Sequence, residues 1–234
     1  LMSYNIHFGT DSAGAPNLPE IARTIADAGP DIAALQEVDK HWSPRSGFAD
    51  QAKALSEALG MHVVYGANLD RDPPAPGAPR RQYGTAVLSK YPIVRSRNYP
   101  LSSFGDEQRG LLETEIDANG VRLRVYNVHM GLTARQRVAQ AGEALAIIGP
   151  LTGPVALAGD FNAEPDSPEL RLLLEAGFAD SFAGAAAEST FPSIAPESRI
   201  DYLLAGGRLV PVRAAVLPST ASDHRPIVGE FVLA

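Results

Sequence analysis

Cysteine is absent from the 234-residue chain, which excludes disulfide frameworks, thiolate metal sites and cysteine nucleophiles together. No apolar run approaches the ~18 residues that a membrane-crossing helix needs. A basic amino-terminal stretch followed by an apolar core is also missing, so no signal peptide is visible. The sequence opens at Leu1-Met2 directly in strand-like residues, and the compartment is left open between cytoplasm and export after removal of a leader. Lysine is scarce. Only Lys40, Lys53 and Lys90 stand among 20 basic residues, against 27 acidic ones, for a net charge of −7. A surface that grips duplex nucleic acid over a long footprint is usually basic, because phosphate neutralisation drives that affinity. Arginine, the better bidentate clamp, makes up the rest of the positive charge. A localised phosphate site on an acidic protein fits these numbers better.

Short apolar strand patterns alternate with amphipathic helical ones, which argues for an α/β layered architecture and one domain over 1–234. Helices are expected at Leu18 to Ala28, Phe48 to Leu59, Thr133 to Ile148 and Ser167 to Ala176. Asn17 and Thr133 stand as caps, and Gly29-Pro30 and Gly60 as stops. Strands are expected from Asp31 to Leu35, Met61 to Tyr65, Tyr83 to Ser89, Ile93 to Pro100, Gly110 to Asp117 and Val121 to Val128. Further strands follow at Val155 to Ala158, Ile200 to Leu204, Val212 to Leu217 and Pro226 to Leu233. The Asn119-Gly120 pair joins two of them as a hairpin, so the sheet is mixed rather than purely parallel. Ala67 to Gln82 holds Pro73, Pro74, Pro76 and Pro79. Proline at that density reads as one long loop shaping a site.

Polar residues gather at the strand ends, where α/β proteins place ligand sites. Glu37, Asp160, Asp201 and Asp223 are carboxylates, and Asn5 and Asn162 are neutral oxygen donors. Hard oxygen donors suit Mg²⁺ or Mn²⁺, and the scarcity of sulfur and nitrogen ligands argues against zinc. His129 and His224 add groups for proton transfer, and Arg109 could clamp an anion. Each has an ordinary structural reading: Asp-Phe-Asn is a common turn, Glu37 a surface glutamate, His129 a satisfied core histidine, Asp223-His224 a cap and a surface imidazole. His41 and His62 have no polar company and read as structural. The coincidence of the others at successive strand ends points to metal-assisted hydrolysis.

These residues resemble the endonuclease/exonuclease/phosphatase superfamily of metal-dependent phosphoester hydrolases. The resemblance runs in order through Tyr4-Asn5-Ile6, Leu35-Gln36-Glu37, Tyr83-Gly84-Thr85-Ala86-Val87-Leu88-Ser89, Arg109-Gly110, Asn127-Val128-His129, Gly159-Asp160-Phe161-Asn162, Arg199-Ile200-Asp201-Tyr202 and Ser222-Asp223-His224-Arg225-Pro226. It implies a four-layer α/β/β/α sandwich, with two mixed sheets face to face, helices outside and the site at one rim. By the same resemblance Glu37 is the principal ligand of Mg²⁺ or Mn²⁺, with Asn5 and Asp223 near the same ion. Asp160 and Asn162 orient the attacking water, and His224, oriented by Asp201, is the acid–base or phosphate-stabilising histidine. His129 matches the second histidine of the deoxyribonuclease-like and sphingomyelinase-like branches. Tyr83, Arg109 and Asn127 are implied substrate contacts, and a monomer is expected.

Two departures weigh against abasic-site repair: His7 stands where that branch has Asp, and Val38-Asp39 follows Gln36-Glu37 where it has Thr-Lys. Gly84-Thr85 follows Tyr83 where the deoxyribonuclease-like branch has glutamate, so His129 lacks that orienting carboxylate. The leading expectation is a Mg²⁺-dependent phosphodiesterase or nuclease. The alternative is a phosphatase or phospholipase/sphingomyelinase-type hydrolase of a lipid or small phosphoester, and a third is a non-catalytic phosphate-binding module. The pair Arg80-Arg81 hints at an anionic substrate tail.

Overall fold

The computed structural model describes residues 1–183 and 188–234. Its elements run β1 (Met2–Asn5), α1 (Leu18–Ala28), β2 (Ile32–Lys40), α2 (Gln51–Leu59), β3 (His62–Arg71), β4 (Arg81–Ser89), β5 (Ile93–Leu101), β6 (Arg109–Ala118), β7 (Val121–His129), α3 (Ala134–Ile148), β8 (Pro154–Asp160), α4 (Pro168–Glu175), β9 (Ala179–Asp180), β10 (Asp201–Gly207), β11 (Leu209–Val216) and β12 (Ile227–Leu233). The strands form two six-stranded sheets, ordered β11-β12-β1-β2-β4-β3 and β5-β6-β7-β8-β10-β9. Each is mixed: β1 runs parallel to β2 and β7 to β8, and the other neighbouring pairs are antiparallel.

Period-two alternation sorts the side chains into layers. In β7, Tyr126 and Val128 face outward onto Ala141, Ala144 and Ile148 of α3. Val125, between them in parity, faces inward onto Val87, Leu112 and Ala156. In β2, Ala33 and Leu35 face Ile21 and Ile25 of α1 and Leu55 of α2, whereas Ala34 packs on Ala158 and Leu203 of the opposite sheet. Small residues on the inner faces let the sheets approach closely. The result is the four-layer sandwich expected from the sequence.

Among the polar contacts that join the two sheets, one is made beside the middle of β2. Asn127, fully buried, donates from Nδ2 to the carbonyls of Leu35 (2.9 Å) and Ala86 (2.8 Å) and accepts from Gln36 Nε2 at 2.8 Å. It thereby joins the second sheet to the first where β2 bulges: the β2–β4 register shifts between Leu35 and Val38, so Gln36 and Glu37 together oppose Thr85. The implied substrate contact at Asn127 is corrected here, since its amide is spent between the sheets and does not line the cleft.

Other boundaries move for local reasons. The strand expected to stop at Leu35 continues through this bulge to Lys40. The long loop shrinks to Asp72–Arg80, because β3 extends to Arg71 and β4 begins at Arg81. Helix α2 begins at Gln51 because Phe48 adopts a left-handed φ of 56° and the Asp50 side chain caps Lys53 N. Thr133 caps α3 through a reciprocal bond with Gln136. Asn17 instead donates to Ala221 O at 2.9 Å, tying α1 to the loop before Asp223. The two-residue strand β9 has no counterpart in the sequence pattern.

Replacing Asn127 with Ala strands two carbonyls and the Gln36 amide in the interlayer. Buried groups left unpaired cost about 1–3 kcal/mol each, and partial relaxation brings the expected loss to about 3 kcal/mol. Urea denaturation measures it; a loss below about 1 kcal/mol would mean that the contact does not join the sheets.

Candidate functional site

The rim residues continue the inward-facing series of their strands. Ala156 and Ala158 lead to Asp160, Val125 and Asn127 to His129, and Leu203 and Ala205 share parity with Asp201. Register then aligns them: Asp160 is opposite His129 on one side and Asp201 on the other. Gly159 permits this spacing, since a Cβ there would lie 1.9 Å from Val128 O. Glu37 has the wrong parity for the inner face. The bulge and its left-handed φ of 56° turn it into the cleft, the re-aiming that bulges accomplish beside functional sites.

Asp160 is the hub. Its Oδ1 accepts from Asn162 N (2.9 Å), and its Oδ2 accepts from Asn5 Nδ2 (3.0 Å). The same Oδ2 lies 3.5 Å from His129 Nε2 and 3.7 Å from His224 Nε2. His224 Nδ1 donates to Asp201 Oδ2 at 2.9 Å. Asn5 also donates to Glu37 Oε1 (3.1 Å) and accepts from His7 N (3.0 Å). Asn162 is anchored by its Nδ2 to Met130 O at 3.0 Å.

The two histidines sit in opposite electrostatic settings. Burial works against charge on His224, but the carboxylates of Asp201 and Asp160 overcome it and raise its pKa to about 10. His129 is held well below its ordinary value by burial, then by the cations Arg109 and His224. Its tautomer follows from donor chemistry. Arg109 Nη1 lies 2.9 Å from His129 Nδ1, and a guanidinium only donates, so Nδ1 accepts and the proton sits on Nε2 facing Asp160. Arg109 thus takes the orienting place that the sequence leaves without a carboxylate; Glu107 Oε1 holds it at 2.7 Å. Burial pushes Asp160 upward as well, against the pull of His224. Neighbouring titratable groups driven apart in this way mark acid–base machinery.

These groups floor a cleft of about 400 Å³ that Glu37, Tyr83, Arg109, His129, Asp160, Asn162, Asp223 and His224 all line. Asn5 and Asp201 lie beneath it, each fully buried. Two arrangements bear on a metal. The buried Asp160, Asp201 and His224 each offer a ligand atom within 4.8 Å of the others and could hold an ion. Glu37 and Asp223 are partly exposed carboxylates with no Lys or Arg within ion-pair distance among the described residues, a donor set that suits a hard divalent cation. Sequence reasoning missed the cleft's other wall: Phe8, Trp42, Arg45, Leu69, Glu107, Leu132 and Phe191. The signal available was Trp42, the sole tryptophan, set among charges just past Glu37.

A family model described as "Endonuclease/Exonuclease/phosphatase family" matches residues 2–224. The YbhP protein of Escherichia coli (strain K12) is 28% identical over 253 residues, spanning all of this chain and 96% of that protein. An endonuclease/exonuclease/phosphatase structure from Beutenbergia cavernae DSM 12333 superposes with a TM-score of 0.81 at 26% identity, covering 99% of this chain and 70% of that one. The fold is also that of the mannosyl-6-phosphatase Bt3783 of Bacteroides thetaiotaomicron VPI-5482, with TM-score 0.79, 21% identity, and 99% and 98% of the two chains covered.

In metal-free protein, Arg109→Met should raise the pKa of His129 and release its tautomer, because the variant loses both the repelling cation and the donor to Nδ1. Nitrogen NMR of the histidine rings across pH reads both quantities. An unaltered His129 would sever its link to Arg109.

Proposed function

Since the chain belongs to the endonuclease/exonuclease/phosphatase family, we propose that it is a Mg²⁺- or Mn²⁺-dependent hydrolase of a compact phosphoester, operating through attack of water at the Asp160 hub. The observation that carries the reading is one carboxylate between two histidines, 3.5 and 3.7 Å away, one backed by Arg109 and the other by Asp201, on the floor of a small cleft. Cleft volume and net charge favour a phosphate monoester or small diester over a long duplex.

Glu37 and Asp223 are the proposed metal ligands, with Asn5 positioning Glu37 through its 3.1 Å bond. A bound divalent cation supplies positive charge that offsets what builds on the phosphoryl oxygens in the transition state. Asp160, its Oδ1 tied to Asn162, accepts the proton of the attacking water through Oδ2. The water oxygen bonds to phosphorus as the bond to the leaving oxygen breaks. His224, cationic and fixed by Asp201, donates from Nε2 to the transferring phosphoryl group. His129, neutral, donates from Nε2 at the same hub. The Tyr83 hydroxyl, kept protonated by burial and the nearby carboxylates of Glu37 and Glu107, and the Arg109 guanidinium contact the substrate phosphate from the wall.

A hydrolysis panel with Mg²⁺ or Mn²⁺ tests the reading: bis-p-nitrophenyl phosphate, p-nitrophenyl phosphate, sugar and inositol phosphates, sphingomyelin, plasmid and single-stranded DNA, and RNA. Metal-dependent turnover of the small esters is expected, with EDTA abolishing it. Strand cleavage without small-ester turnover would make the protein a nuclease. Silence throughout would leave a phosphate-binding module.

Glu37→Gln should eliminate turnover at ordinary Mg²⁺ and weaken Mg²⁺ binding by calorimetry; full activity would remove Glu37 from the site. His224→Ala should lower kcat by at least about 10²-fold, the scale of a lost acid–base group, and a drop below about fivefold would transfer the role elsewhere.

A further inference from the structure

The cleft wall that sequence reasoning missed carries Arg45 on an aromatic platform, and Arg71 stands on the same Trp42 ring just outside the residues that line the cleft. Arg45 sits 3.9 Å from the Phe8 ring centroid, 5.3 Å from that of Tyr83 and 5.9 Å from that of Trp42. Arg71, at the end of β3, sits 4.6 Å from the same Trp42 ring. Both cations therefore lie within 6 Å of one indole that lines the cleft.

Arg45 is rigidly placed. The fully buried Asp39 accepts from its Nε (2.9 Å) and Nη2 (2.7 Å), leaving Nη1 with no protein partner among the described residues. Arg71 is exposed and has no carboxylate within ion-pair distance among the described residues. The backbone spends strain to build this wall: His7 and Phe8 both adopt φ of 44°, a left-handed conformation that non-glycine residues avoid. By contrast, the pair flagged in the sequence is spent on its own loop. Arg80 pairs with Asp70 and Asp72, and Arg81 donates to Asp72 O. Those contacts brace the connection out of which Arg71 projects.

The cleft floor combines Arg109 and His224 with Glu37 and Asp223, the proposed ligands of a divalent cation, and so can receive a phosphate. A ligand with one phosphate at that floor and a second anionic group toward the Arg pair complements both ends, because guanidinium forks match phosphate and carboxylate oxygens. We propose that Arg45 and Arg71 form a second anion subsite, so that the preferred substrate is a small phosphoester bearing a further phosphate or carboxylate beyond the scissile one. The inference rests on the hydrolase reading for its choice of substrate, but not for the subsite itself.

Trp42, the only tryptophan in the chain, reports on the subsite directly. Inorganic phosphate titrated into metal-free protein should change its fluorescence saturably. Arg71→Met, which removes a side chain with no other polar partner among the described residues, should weaken that response about tenfold or more, the size of a lost charged hydrogen bond. The double variant Arg45→Met/Asp39→Asn should do likewise without leaving a buried carboxylate unpaired. In steady state, a hexose bisphosphate and a nucleoside bisphosphate are each compared with the matching monophosphate. Arg71→Met should raise KM for the bisphosphates about tenfold with kcat intact, and leave the monophosphates unchanged. Whichever bisphosphate wild type prefers identifies the source of the second anion. A missing phosphate response in wild type, or one that Arg71→Met leaves intact, overturns the subsite. So does hydrolysis that treats bisphosphates and monophosphates alike in both proteins. An Arg71-dependent response without turnover of any ester would retain the subsite and discard the hydrolase.

Discussion

A carboxylate buried between two imidazoles is unstable unless each neighbour's proton is assigned, and most of the surrounding architecture serves that assignment. Asp201 gives His224 a fixed acceptor at 2.9 Å and so commits its other nitrogen to Asp160. Arg109 occupies Nδ1 of His129 and so commits the Nε2 proton to the same oxygen. Neither partner needs to enter the cleft chemistry to matter. Asp201 fixes the ring of the cationic His224, Arg109 closes one of the two tautomers open to the neutral His129, and Glu107 in turn holds Arg109. The low dielectric of the sandwich interior makes these choices strong, because solvent cannot compete for the same protons.

The same interior sets the geometry. Strand alternation carries the inward-facing series of each strand out to the rim, where the apolar interlayer ends and the two sheets part. Position in the strand, not local sequence, therefore separates Asp160 from Ala158 and His129 from Asn127. Glu37 is the exception that required a backbone irregularity, and the interlayer amide of Asn127 sits against that irregularity from the opposing sheet.

Much of this was legible in the sequence because it depends on residue type at strand ends. The Gly-Asp-Phe-Asn turn, the Ser-Asp-His loop and the Gln-Glu pair mark their own positions, and helices such as Leu18–Ala28 declare themselves through a capping position, an early proline and a terminal glycine. What was not legible depended on contacts between distant segments. Nothing adjacent to Asn127 says that its amide is consumed across the sandwich, or that Arg109 replaces a missing glutamate. Trp42 and Arg45 lie in an irregular stretch whose pattern predicts no structure, and only the left-handed turn at His7 and Phe8, some 35 residues upstream in chain order, brings Phe8 under Arg45. The arginine pair at 80–81 misled because proximity in sequence suggested a charged patch, whereas Asp70 and Asp72 had already claimed it.

The strand order has a further consequence for synthesis. β1 lies between β2, its parallel neighbour, and β12, the last strand, while Asn5 at its tip meets groups carried by β8 and, through Ser222, the loop before β12. A chain emerging residue by residue holds β1 with one edge bare and Asp160 without His224 until the segment through His224 and β12 has been made. The site is thus knitted from segments more than 200 residues apart in the chain. An incomplete chain has the pieces of a phosphoester site but not the site, which keeps the chemistry silent until the sandwich has closed.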